Sequence, residues 1–532
     1  MPIDEGIDTD LRFLILEVKK QARASLAIIE RPTASKLEKI RIREDYVDNL
    51  KNTLENKCYF NIHRQEEGEM NYFRAVITIA SNLERCADFF ESIALQMEFV
   101  KDPENLEQFN LRRYYKVIYR AIDAIYPALR EHNLDLAQKI CDYEQTLDDY
   151  YIESHNEIKA FLQQRRKVSD MLVLLDIVRY LERAGDSLLN IGEAIFDIHV
   201  GEKMGIVQFK NLRKGLESQN VDIGTEVIKF TPIMNTRSGC RVAKITIPGR
   251  AGKAPLFYKE GLKEKVKDEV VGLKFWQKNF PDKTPRILWD STRQDHTTLL
   301  LEYIEGADLL AILLKPRADL EQALLLLSQN ASRIWRKARR DKGQKPDFVS
   351  QLTRRKDDVE SVHSALFDLD HLDDMLERAR DIERLLKVPF TTLIHGDFNA
   401  DNIIIQLEQK KVYYVDVHRS RFGDYVQDVS VFIVSNIRIP IFSSDVRSRL
   451  NSANRAMYSC GAAFASRQKD PWYDARLALG LFRSLITSTR FIFDKSFSSA
   501  LYDRAELILD TLEQHDTDLK KFKLTEELFL YE

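Results

Sequence analysis

Three side chains in one short stretch have the types and spacing that phosphoryl transfer requires. They are Asp397 and Asn402 in Ile394-His-Gly-Asp-Phe-Asn-Ala-Asp-Asn402, and Asp416 in Val415-Asp-Val417. Moving a phosphoryl group to an alcohol takes a carboxylate that orients the hydroxyl and oxygen donors that hold magnesium on the nucleotide phosphates. The loose transition state depends on positioning and charge neutralisation more than on covalent help. An Asp followed five residues later by Asn, and then by an Asp after a strand, supplies these parts. The fourteen-residue step from Asn402 to Asp416 leaves room for Ile403 to Val415 to form a hairpin and turn back, so that both oxygen-bearing side chains meet.

A second set of candidates lies in the N-terminal part, where acids stand four apart: Glu44 and Asp48, Glu84 and Asp88, Glu144 and Asp148, Glu182 and Asp186. Residues four apart share one helix face, and like charges so placed cost a few tenths of a kcal/mol unless something compensates. A single pair reads as a solvated face. These pairs recur: Glu44 to Asp48 precedes Glu144 to Asp148 by 100 residues, and Leu83-Glu-Arg-Cys-Ala-Asp88 precedes Leu181-Glu-Arg-Ala-Gly-Asp186 by 98. Clustered carboxylates on facing helices suit hard or borderline cations.

The elements that position these groups fall into two kinds. Residues 1–200 show apolar stripes at helical spacing, such as Leu11, Leu14, Ile15 and Val18, with breaks near 31–34, 63–69, 101–105, 130–134 and 165–170. The pattern predicts six long helices in two three-helix repeats. β-rich runs follow at Glu226 to Phe230, Arg241 to Ile247, Pro255 to Lys259 and Thr298 to Glu302. After Leu309 the chain reads as helical again, apart from short strands at Thr391 to Ile394, Ile403 to Ile405 and Val412 to Val415. Three late helices are predicted, over Ser443 to Arg467, Trp472 to Phe493 and Ser498 to His515. A small sheet ahead of a larger helical lobe is the outline of a kinase.

Leu181-Glu-Arg-Ala-Gly-Asp-Ser-Leu-Leu-Asn-Ile-Gly-Glu193 resembles the signature of the PhoU family, whose fold is two three-helix bundles. By that resemblance Glu44, Asp48, Glu84 and Asp88 form one metal-cluster site, and Glu144, Asp148, Glu182 and Asp186 the other, holding iron, zinc or another divalent metal. The first repeat departs from the pattern, with Ser92 and Leu95 where the second has Asn190 and Glu193. The H-G-D-x-x-x-x-N string with its downstream V-D resembles the aminoglycoside phosphotransferase and choline kinase superfamily. The resemblance implies ATP and Mg2+ as cofactors, Asp397 as the base that aligns the acceptor hydroxyl, His395 as a brace for its loop, and Asn402 and Asp416 as magnesium ligands. The G-D-x-x-x-D segment at Gly423 to Asp428 then supports the loop through Asp424 or Asp428. Lys259, with Glu269 or Glu264 as its partner, takes the ATP phosphates, and Glu302 and Ile304 offer backbone groups to adenine. The nucleotide loop at Asn235 to Arg241 departs from the pattern, with one glycine and no G-x-G-x-x-G.

The expected fold is therefore multidomain, an all-α PhoU-like six-helix domain followed by an α+β protein-kinase-like two-lobed domain. The boundaries are a helical domain at 1–205, a linker at 206–224, an N-lobe at 225–308 and a helical C-lobe at 309–532. Among 532 residues, 80 Lys and Arg balance 83 Asp and Glu, so no global charge draws the chain to nucleic acid. Four acids and no base among the first ten residues do not suit a signal peptide, and no apolar run approaches a membrane span. Five scattered cysteines without a C-x-x-C pair read as reduced thiols in a cytoplasm. The function expected is a small-molecule phosphotransferase with a hydroxyl acceptor and a regulatory or metal-binding N-terminal domain that docks a protein partner, a homodimer being left open. The alternative is a pseudokinase adaptor in phosphate regulation. The absence of D-F-G and A-P-E strings disfavours a protein kinase. Asp474, Asp494 and Asp503, on or beside the late helices, are weighed as contacts for a cationic acceptor, with surface salt bridging as their simpler role.

Overall fold

The computed structural model describes residues 5–62, 67–200, 204–223, 228–233, 239–248, 254–293, 295–316, 319–363 and 369–531. The chain forms two compact units, residues 1–260 with 291–293 and residues 261–290 with 294–532.

The first unit is built on six long helices, Glu5–Glu30, Ala34–Ile62, Glu67–Gln96, Arg112–Arg130, Leu134–Gln163 and Val168–Val200. The second helix buries Ile40, Val47 and Leu54, seven residues apart and hence on one narrow face. The fifth repeats the spacing with Leu147 and Ser154. The second helix packs on the first and third and the fifth on the fourth and sixth, and the third and sixth also pack on each other, with the Cys86 thiol 3.7 Å from the Ala184 carbonyl oxygen. The acid pairs thus occur on the second, third, fifth and sixth helices, as the repeat predicts.

Residues 206–224, expected as a linker, include a packed helix instead. Ile206–Glu217 buries Phe209, Leu212 and Leu216 at helical spacing, and the Phe209 ring stacks on Phe196 at 4.0 Å between centroids. Strands Lys229–Pro232, Arg241–Thr246 and Leu256–Leu262 follow as an antiparallel meander, pairing Phe230 with Ile245 and Val242 with Lys259. Glu226, Val227 and residues 235–238 of the expected nucleotide loop lie outside the described residues.

In the second unit, helix Lys263–Asn279 and strand His296–Glu302 precede two small sheets. Thr392–Ile394 pairs antiparallel with Arg421–Gly423, and Ala307–Asp308, Ile403–Gln406 and Lys411–Tyr414 form the other sheet. The helical part comprises Val426–Ile437, Ser444–Gln468, Tyr473–Thr489 and Lys495–Glu513 among others. Helix Tyr473–Thr489 is buried at every position, so it is the hub of this lobe. Its polar residues must therefore find partners inside the protein. Among the described residues no helix is long and apolar enough to cross a membrane, and the five cysteines are free thiols.

Candidate active site

Two antiparallel strand pairs fix the candidate catalytic segment. The loop from His395 to Asn402 leaves strand Thr392–Ile394 and enters strand Ile403–Gln406. The segment from Val415 to Ser420 joins strand Lys411–Tyr414 to Arg421–Gly423, which pairs back with Thr392–Ile394. The hairpin therefore returns Asp416 beside Asn402. The Val415 N–H donates to the Asn402 carbonyl at 3.0 Å, and Asn402 Nδ2 donates to the Asp397 carbonyl at 2.9 Å. With its amide nitrogen so used, Asn402 keeps its Oδ1 as the atom that suits a hard cation. Asp416 holds φ 57° and ψ 48°, a left-handed backbone rare outside glycine, and its carboxylate lies 3.1 Å from His418 Nδ1.

Asp397 has its carboxylate oriented by two neighbours, Asn399 Nδ2 at 3.1 Å and Arg419 Nη1 at 3.3 Å. His395 is 1% exposed, so its ring does not reach the protein surface. Its Nε2 stands 3.0 Å from the Val415 carbonyl and its Nδ1 accepts the Asp397 N–H at 3.3 Å, which suits the neutral ring with the proton on Nε2. Burial first of all holds its pKa below the usual 6.5. His395 is thus a positioning residue. Gly396 takes φ 82°, and a Cβ there would come inside 3.0 Å of the Arg419 carbonyl. Asp428 braces the loop from below, accepting the N–H groups of His395 at 2.8 Å and Gly396 at 2.9 Å. Asp424 plays a different part, standing 2.6 Å from the fully buried Arg476, which also pairs with Asp470.

The remaining nucleotide-side candidates are placed as follows. Lys259 is buried on strand Leu256–Leu262 of the first unit, and Glu269 is buried on helix Lys263–Asn279 of the second, whereas Glu264 is exposed. The Glu302 carboxylate pairs with Arg286 Nε at 2.7 Å, and its N–H donates to the Arg286 carbonyl, so its own carbonyl is the group it can offer. Ile304 is buried two residues on.

Each acid repeat draws its carboxylates into mutual range. Burial, then Glu84 and Glu44, push the Asp88 carboxyl up to about 7. In the second repeat burial, then Asp148 and Asp186, push Glu144 up to about 7, and Glu182 is raised by burial, Asp186 and Asp148. The two clusters differ in one respect: the Lys51 ammonium stands 3.8 Å from Asp48 and 4.0 Å from Glu84, whereas the second repeat has Tyr151 at the corresponding place. Among the described residues no group of three or more His, Cys, Asp or Glu side chains is arranged to hold a metal ion.

A cavity of about 360 Å³ opens at Asp397 and runs into the helical lobe. Its walls carry seven arginines, among them Arg483 and Arg490, none of which the sequence singled out. Helix Tyr473–Thr489 does wall this cavity, through Arg483, Ser484, Thr487 and Ser488, but no acid of the late helices reaches it. Asp474 accepts from Tyr458 and pairs with Lys523, and Asp494 caps helix Lys495–Glu513.

Comparison with known proteins divides the chain the same way. A family model described as PhoU domain matches residues 12–97 and 111–195, and one described as phosphotransferase enzyme family matches residues 261–464. A phosphate-specific transport system accessory protein PhoU homolog of Clostridium acetobutylicum is 25% identical over 211 residues, which cover 38% of this chain and 94% of the relative. Among solved structures, an aminoglycoside phosphotransferase of Streptomyces rimosus aligns at 16% identity and TM-score 0.33, covering 49% of this chain and 92% of that one. A choline kinase of Cryptosporidium parvum aligns at 13% identity and TM-score 0.38, covering 58% and 98%.

Proposed function

Because the chain carries a PhoU domain in its N-terminal part and a phosphotransferase domain in its C-terminal part, we propose that it is an ATP- and Mg2+-dependent kinase of a small hydroxyl compound, with the N-terminal domain as its regulatory part. The observation that carries this reading is the hydrogen-bonded chain from Val415 through Asn402 to Asp397, which sets an amide oxygen and two carboxylates on adjoining turns. An adaptor that only binds nucleotide has no need of all three.

When bound, magnesium and ATP supply the transferable phosphoryl group and the charge that offsets it. Asn402 and Asp416 are the oxygen donors that fit such a cation. Asp397 holds the acceptor hydroxyl and takes its proton, with Asn399 and Arg419 fixing the carboxylate. His395, Gly396 and Asp428 keep the loop in shape without touching reacting atoms. The domain boundaries 1–205, 206–224, 225–308 and 309–532 remain part of the proposal, the second segment now as a packed connector. In the N-terminal domain neither acid cluster is gathered as a metal site among the described residues; of the two, Glu144, Asp148, Glu182 and Asp186 is the one a divalent metal could draw together, since Lys51 already neutralises its counterpart in part. Elemental analysis of protein purified without chelator tests this point, and a metal-free folded sample removes it.

The kinase reading is tested with Asp397→Asn, assayed for ADP release across a panel of hydroxylated metabolites. The expected result is nucleotide binding close to that of the parent and transfer lower by at least ~100-fold, the scale of general-base contributions. Equal turnover in the two proteins would refute it.

A further inference from the structure

The cavity that begins at Asp397 is built for negative charge. Arg354 and Arg355 enter it from the turn after helix Phe348–Thr353, Arg419 and Arg421 from the segment after Asp416. Arg438 closes the end of helix Val426–Ile437, and Arg483 and Arg490 come from the hub helix and the residue that follows it. Against these seven arginines the lining holds one carboxylate, Asp397.

Counter-charge close to Arg354, Arg355, Arg419, Arg421, Arg483 and Arg490 is sparse among the described residues. Arg419 shares Asp397, Arg421 reaches Asp347 only at 3.4 Å, and Arg490 reaches the exposed Asp358 only at 3.8 Å. Among the described residues Arg354, Arg355 and Arg483 make no ion pair. Arg483 is 8% exposed, yet its buried Nε has no hydrogen-bond partner, and the buried Nη1 of Arg490 likewise has none. Their planar groups are held in place, Arg483 over the Phe348 ring at 5.6 Å and Arg490 over Phe491 at 4.4 Å. Burial, together with the cation on Arg355, brings the pKa of both down to about 10. Buried guanidinium donors without partners are expensive to maintain, and the groups that satisfy such forks are phosphates and carboxylates, bound bidentately.

We propose that the acceptor is a small polyanion, a hydroxyl compound that already carries two or more phosphate or carboxylate groups. This deepens the kinase reading and rests on it. Neither Asn402 nor Asp416 lines the cavity, so it extends from the hydroxyl side of Asp397 and not from the side of the cation donors. The terminal phosphate of a nucleotide gives employment to one or two arginines; seven, spread over four wall segments, call for several anionic groups. A volume of about 360 Å³ suits a compound of sugar bisphosphate size. A cationic acceptor of the choline or aminoglycoside kind meets like charge on every side. In the transfer, the acceptor oxygen gains the bond to phosphorus that the bridging oxygen of ATP loses. The electron pair leaves on ADP, and the hydroxyl proton passes to Asp397 and from there to solvent.

The test measures binding to the full chain by calorimetry without ATP, using fructose 1,6-bisphosphate, ribulose 1,5-bisphosphate and citrate as polyanions and fructose and choline as controls. At least one polyanion is expected to bind at least ~10-fold more tightly than both controls and to weaken as salt is raised. A preference for the bisphosphates assigns phosphate as the recognised group, and a preference for citrate assigns carboxylate. Arg490→Gln and Arg354→Gln are each expected to weaken that binding about tenfold, the scale of a lost charge-assisted contact. Arg455→Gln, which breaks a remote pair with Glu526, leaves it unchanged. Arg354 is exposed, so its variant stays informative if Arg483→Gln fails to fold. Binding of fructose or choline at or above the level of all three polyanions, or binding indifferent to the cavity variants, overturns the proposal. If a polyanion binds as expected but no acceptor is phosphorylated, the kinase reading falls and the anion cavity stands. If fructose or choline is phosphorylated while no polyanion binds, the reverse holds.

Discussion

Replacing Arg476 by methionine strikes the anchor beneath the catalytic segment. The guanidinium is fully buried, stands 2.6 Å from the Asp424 carboxylate and pairs also with Asp470, which in turn accepts from the Tyr425 hydroxyl at 2.9 Å. Methionine fills most of the volume and leaves two buried carboxylates without their counter-charge. Removing one partner of a buried ion pair typically costs about 3–5 kcal/mol. In a domain of this size that lowers the unfolding midpoint by roughly 6–20 °C, at 2–4 °C per kcal/mol. The loss has a pH signature. Burial already holds the folded-state Asp424 carboxyl above its unfolded value, and without the Arg476 cation it titrates higher still. Between the two values the native state binds more protons, so its stability falls as pH rises. The deficit of the variant is therefore larger at pH 8 than at pH 5. Scanning calorimetry of parent and variant at both values, following the transition of the C-terminal unit, provides the measurement. A deficit below about 1 kcal/mol, or one equal at the two pH values, would show that the network is not held by charge and refute the reasoning.

Asp428→Ala leaves the N–H groups of His395 and Gly396 buried and unpaired, at about 1–3 kcal/mol each; denaturant unfolding should register the sum and transfer activity should fall with it. His395, held neutral by burial, does not take up the proton that an unfolded histidine accepts below its ordinary value of 6.5. The parent should therefore lose stability as pH drops from 7 towards 5, and His395→Gln should flatten that slope in a thermal-melt series. Gly272→Ala places a Cβ inside 3.0 Å of the Val417 carbonyl oxygen, and is expected to lower stability by about 1–3 kcal/mol and to weaken nucleotide binding, as read by calorimetry.

Much of this architecture is legible in the chain because its signals are local. The six long helices and the hairpin from Ile403 to Tyr414 follow from apolar spacing, and the late helices from their own periodicity. The return of the chain that bonds the Val415 N–H to the Asn402 carbonyl follows from counting residues around one turn. The helix at Ile206–Glu217 is not legible in that way: Phe209, Leu212 and Leu216 are spaced by three and four, but a polar surround hides so short a stripe. Strand Ile287–Arg293 carries no alternation of buried and exposed positions to give it away. The arginine cavity is of another kind. Its members are scattered from Arg354 to Arg490, each looking in isolation like a solvated charge, and only the tertiary fold gathers them. The bracing role of Asp428 stands between these cases: the spacing marks it, but only the fold shows that it and not Asp424 holds the loop amides.

One joint in the second unit bears on how the proposed kinase would be regulated. Helix Lys263–Asn279 rests its Gly272 against the Val417 backbone, and its Trp276 indole donates to Ser420 Oγ at 2.8 Å, while Ser420 Oγ donates to the carbonyl of His395 at 3.1 Å. Protein backbones in such contact have no slack to slide past each other. The helix, the turn that bears Asp416 and the root of the catalytic loop consequently travel as a single casting. On the kinase reading, a signal that reaches this helix is expected to move the whole assembly together, or else to act on what the arginine-lined chamber admits.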